Sequence, residues 1–234
     1  IQDGSDLNYS PLARCEGLGF IGTNQTGKQS KGLHLHSTFA VTSSGLPLGV
    51  LRAECKAREQ RSQEDRRALS AIPIEEKNTF SWIQGVRDCM EIKQLMPHTS
   101  LISVMDREAD FFEIFDDQRR KSSRVDLLIR AQHNRKTMGE HKLFEEVMQS
   151  PVQSRITIKI PRQSARVKKK NQKARNKRAA RIAEVTVRYI RTELKPPPYF
   201  QEMPPISLWI IHVKEEKPPA GTKAVEWFLL TTID

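Results

Sequence analysis

No stretch of this 234-residue chain approaches the roughly eighteen consecutive apolar residues of a membrane helix, and its N-terminus carries no signal-peptide pattern. Neither a membrane protein nor a secretory precursor is expected. Cysteine is scarce: Cys15, Cys55 and Cys89 are an odd number without paired spacing, which argues against a disulfide framework and against a zinc site. The expected compartment is reducing and cytoplasmic. Acid is missing from one long interval. Between Gln149 and Ala183 there is none, against twelve Lys or Arg residues, in a chain whose net charge is +11. The rest of the chain is therefore close to neutral, and its length suffices to bury a real core.

That cationic block centres on a loop at 162–181 containing Lys168, Lys169, Lys170, Lys173, Arg175, Lys177 and Arg178. Such density on an otherwise balanced chain points to a polyanion partner, because neutralised phosphates release counterions. A solvated loop or a localisation signal has the same composition. No aromatic residue is interleaved, so the block is expected to grip nucleic-acid backbone without reading sequence.

The periodicity predicts mixed α/β structure. His34 to Thr42 and Leu46 to Glu54 flank Ser43-Ser44-Gly45 as an antiparallel hairpin. A helix is expected from Thr79 to about Lys93, with Trp82, Val86 and Met90 on one face. Ser100 to Met105 reads as a buried strand ending at Asp106, and Glu108 to Arg119 as the helix that follows. Further strands are expected at Val125–Ala131, Arg155–Ile160, Ile182–Arg191, Ile206–Val213 and Val225–Thr232. Prolines at 196–198, 204–205 and 218–219 mark the loops.

Asp106 opens the word Asp-Arg-Glu-Ala-Asp, and Asp3 stands in what reads as a similar strand-end position. Two such aspartates suggest a carboxylate pair that holds divalent metal. An aspartate after a strand is also an ordinary helix cap, which is sufficient explanation for Glu108 and Asp110. His34 and His36 share one strand face, but without a third ligand at suitable spacing they are expected to be structural.

Five words occur in one order: Ile1-Gln2-Asp3, the hairpin from Gly32 to Val50, Val104 to Asp110, Leu127-Leu128-Ile129-Arg130, and Glu226 to Thr231. Together they resemble the DDE transposases of bacterial insertion sequences, specifically the insertion-sequence-four family of cut-and-paste elements. The resemblance implies an α/β fold with an RNase H-like mixed sheet and helices, interrupted by a β-rich insertion subdomain. The core would occupy 1–143 and the insertion 144–234. It also implies metal-dependent phosphodiester cleavage and strand transfer, with Mg²⁺ or Mn²⁺ held by Asp3 and Asp106. Arg130 matches a family arginine near the active site, and Trp227 a tryptophan resembling a stacking platform for a displaced base. A surface arginine and a core tryptophan are the plain alternatives. The implied partners are DNA, as transposon ends and target, and a second copy in a synaptic homodimer; the implied location is the bacterial nucleoid within the cytoplasm. The family's third acid lies on a helix beyond the last strand, within a Tyr, Arg, Glu, Lys signature that these residues do not include. The chain reads as a catalytic-domain fragment that also starts inside the first strand, with negligible catalysis alone. Two other functions stay open: a nucleic-acid-binding derivative without catalysis, and an RNase H-like nuclease without the joining step.

Overall fold

The computed structural model describes residues 1–12, 14–23, 29–58, 72–121, 125–165 and 178–234. Among the described residues, ten strands and three α-helices make a mixed α/β structure with two sheets. In the smaller sheet the long strand β3 (Gln29–Val41) has β1 (Gln2–Asn8) along one edge. Its other edge is shared end to end by β2 (Gly19–Thr23) and β4 (Pro47–Lys56). The β3–β4 hairpin turns at Gly45, whose φ of +88° lies where an L side chain is strained. Asp3 is the second residue of β1, opposite Ser37, so it stands within a strand rather than at a strand's C-terminal end.

The larger sheet has the order β5-β6-β10-β9-β8-β7. Its strands are β5 (Ile102–Met105), β6 (Asp126–Arg130), β7 (Ser154–Ile160), β8 (Arg181–Leu194), β9 (Ile206–Glu215) and β10 (Glu226–Thr231). β5 and β6 pair in parallel; the other pairings of this sheet among the described residues are antiparallel. β10 lies between β6 and β9, so the strands after residue 144 share one sheet with those before it.

Alternation sets the core. On β6 Leu127 and Ile129 are fully buried while Leu128 and Arg130 face outward; on β9 Leu208 and Ile210 point in and Trp209 and Ile211 point out. The inward set meets α1 (Phe80–Leu95), α2 (Phe112–Arg119) and α3 (Leu143–Gln149) through Trp82, Val86, Phe112, Phe115, Leu143 and Val147. Burying one such side chain contributes about 1.5–3 kcal/mol. Helix α3 is not among the expected elements and opens the stretch read as β-rich; Leu143 and Val147, four apart and both 0 % exposed, are its anchor. No helix among the described residues is long and apolar enough to cross a membrane.

The expected helix from Glu108 to Arg119 is interrupted. Arg107–Ala109 is a 3₁₀ turn, Phe111 is extended, and α2 begins only at Phe112. The cause is Asp110. Its side chain is wholly buried and accepts from the backbone N–H groups of Gln132 (2.7 Å) and His133 (2.9 Å), and from Arg135 Nη2 (2.8 Å). A continuous helix would carry Asp110 away from that loop, so three charge-assisted bonds outweigh one turn of helix. The cap assigned to Asp110 from sequence is thereby replaced by a tertiary anchor.

Candidate functional site

A cleft of about 580 Å³ opens where β1 meets the β5 edge of the larger sheet. Its lining includes Asp3, Asp106, Leu128, Arg130, Trp227 and Leu229. Strand order explains the meeting. β5 and β6 run in parallel, so Asp106 and Arg130 leave the sheet at one end; β10 runs the other way, so Trp227, near its start, arrives at that same end.

Asp106 is exposed, and its Oδ1 accepts from the backbone N–H of Glu108 at 2.8 Å, capping the 107–109 turn. Capping and facing the cleft are thus properties of one side chain. Asp3 is likewise exposed. Arg130 is half-buried; loss of solvent, then the nearby Arg107 guanidinium, hold its pKa below the ordinary arginine value, and Asp106 opposes both. It stays a cation at any physiological pH. Trp227 is half-buried, opposite Val213 in the β9–β10 register, and packs on a small apolar cluster with Val185 and Val213. Trp227 both packs on that cluster and lines the cleft, so the core and platform readings do not exclude one another.

Hard oxygen donors suit Mg²⁺ or Mn²⁺, and Mg²⁺ is commonly bound through one or two carboxylates with water and substrate phosphate completing the shell. Asp3 and Asp106 on one cleft fit that donor set. Among the described residues there is no group of three or more His, Cys, Asp or Glu side chains placed to hold a metal.

The two histidines sit on the opposite face of the same sheet. His34 Nδ1 pairs with Asp6 Oδ1 at 2.8 Å; His36 Nε2 meets the Gln2 side-chain amide at 3.0 Å and stands edge-on to Trp82. His36 is 1 % exposed, and burial, reinforced by His34 and opposed by Glu54, pushes its pKa down to about 4. The unfolded chain takes up that proton near the ordinary 6.5 and the folded chain only near 4, so the unfolded state binds more protons between the two. Stability is expected to be complete above pH 6.5 and to fall as pH drops toward 4, by up to about 1.4 kcal/mol per pH unit. Urea denaturation of wild type and His36→Gln across pH 4–7 checks this; the variant should lose that part of the slope.

Of the basic block, Lys168, Lys169, Lys170, Lys173, Arg175 and Lys177 lie outside the described residues. Arg178 is exposed and bonds backbone to backbone with Gln163 at 3.0 and 2.9 Å, closing the neck of the β7–β8 hairpin. This neck projects from the same sheet end as the cleft. From Val187, in the row of Trp227, to Arg178 is about 30 Å of extended chain at 3.3 Å per residue.

Two contributors escaped the sequence reading. Gln2, 2 % exposed, sits beside Asp3 and bonds Ser103 Oγ at 2.9 Å; a glutamine on the inward face of a strand was its signal. Asp110 was masked by its place in a helix-like run. No protein-family model matches the chain, and a search of curated proteins finds no match.

Proposed function

We propose that this chain is a catalytic domain of a cut-and-paste DNA transposase of the DDE type, built on an RNase H-like core with a β-rich insertion. The observation that carries the reading is convergence. Asp3, Asp106, Arg130 and Trp227, drawn from four sequence words spread over most of the chain, line one cleft. Asp3 and Asp106 would hold Mg²⁺ or Mn²⁺, which when bound supplies activation of a water or 3′-hydroxyl and neutralises the leaving oxygen of an in-line displacement. The resemblance implies a third carboxylate to complete that set. Arg130 would bind a phosphate beside the scissile bond, its guanidinium offering paired donors that a lysine cannot. Trp227 would stack on a base displaced from the duplex next to the cut. The basic block would hold backbone phosphates along the same DNA without reading bases.

The test is Mg²⁺-dependent cleavage and joining of element-end DNA by the full-length gene product. Cleavage followed by joining supports the transposase. Cleavage without joining favours the nuclease, and DNA binding without metal-dependent breakage favours a binding derivative. Within this reading, Trp227→Ala is expected to weaken capture of a displaced base by about 1–3 kcal/mol, the usual worth of one base–aromatic stack. An abasic site at the displaced position would report it: removing the base should weaken wild-type binding by about the same amount and leave binding by the variant unchanged.

A further inference from the structure

The two carboxylates stand on different sheets. β1 lies beside β5, yet no β-bridge joins them among the described residues, so no backbone ladder fixes the separation of Asp3 and Asp106. What spans the seam is a side-chain contact made by the residue before Asp3 and a gap left by the residue after it. Before it, the buried Gln2 amide bonds Ser103 Oγ of β5 at 2.9 Å and meets His36 of β3 at 3.0 Å. Helix α1 closes over that amide so tightly that a methyl on Gly85 would collide with it. After Asp3, Gly4 leaves a gap. A Cβ there would lie 3.1 Å from His34 Cε1, 3.3 Å from His34 Nε2 and 3.7 Å from Glu108 Oε2. The bare Cα thus leaves room for the His34 ring, which Asp6 holds at 2.8 Å, with Glu108 of the Asp106 turn at ordinary contact distance from the same gap.

We propose that Gln2–Ser103 on one side of Asp3, and the Gly4 gap between His34 and Glu108 on the other, form a positioning seam that sets the distance between Asp3 and Asp106 for one shared divalent cation. The proposal rests on the metal reading of the cleft. Neither contact touches the cation; each orients a strand that carries a ligand, as outer contacts do around metal sites generally.

Two uncharged substitutions test it on the 234-residue chain with Mn²⁺ alone as probe. Gly4→Ala fills the gap in a strand whose glycine φ is ordinary, so the reduced entropy of the unfolded chain should offset part of the crowding. Ser103→Ala removes the other contact without altering charge. Each is expected to weaken Mn²⁺ binding by about 10–100-fold, the range for losing an orienting outer contact. Thermal melts should still show a cooperatively folded chain. In an Asp3→Asn background neither should have a further effect, because the ligand being positioned is gone. Wild-type affinity in both variants overturns the seam while leaving the cleft reading intact, as does equal weakening in the Asp3→Asn background. Binding in wild type that is indifferent to Asp106→Asn overturns the cleft reading and the seam with it.

Discussion

Asp106→Asn in the full-length gene product is expected to reduce Mg²⁺-dependent DNA cleavage by at least about 10²–10³-fold, the cost of losing one preorganised electrostatic contact to a transition state. DNA affinity should hold, since the arginine, the tryptophan and the basic hairpin are untouched. The isosteric amide is the instructive choice. Its Oδ1 can still accept the Glu108 N–H that Asp106 receives at 2.8 Å, so the cap survives while the charge is lost. Alanine would remove both, and a cap alone is worth about 0.5–2 kcal/mol of stability. Loss of activity with an unchanged melting temperature therefore separates the metal role from the capping role. Single-turnover cleavage beside a gel-shift titration is the measurement; an Asn variant that cleaves like wild type removes Asp106 from the chemistry.

The largest effect on stability is expected four residues later. Asp110→Ala should destabilise the chain by about 3–5 kcal/mol, because it strands a partly buried Arg135 and two backbone donors at once. That is a sizeable share of what a domain of ordinary stability possesses. Asp110→Asn should cost less, since the amide oxygen can still accept from Gln132 and His133. Chemical denaturation of both variants checks the order. A loss below about 1 kcal/mol for Asp110→Ala would show that the 132–135 loop is held by something else.

Aspartates 106 and 110 show what the sequence discloses and what it conceals. Local pattern reaches as far as the next element: the hairpin at Ser43-Ser44-Gly45, helix α1 and strands β5 to β10 all follow from period, turn residues and β-branching. Asp110 fails by the same logic, because its partners lie 22 to 25 residues away and no periodicity marks them. Leu143 and Val147 were too short a repeat to overrule the strand-like stretch that follows. The placement of β10 between β6 and β9 could not be read locally either, yet it is what brings Trp227 beside Arg130. Asp3 reads locally as a strand-end residue yet lies inside β1, because it pairs with Ser37 of β3, more than thirty positions away. The residues that carry the cleft were visible as words; their adjacency was not, because register is a property of pairs of strands.

On the proposed reading, Asp3 and Asp106 share one divalent ion. Mn²⁺ titration of the 234-residue chain, followed by electron paramagnetic resonance, tests it with Asp3→Asn, Asp106→Asn and the double variant. Each single change should weaken binding strongly and the double change little further, as expected of two coupled ligands of one ion. Independent, additive losses, or Mn²⁺ binding that neither aspartate affects, would contradict it.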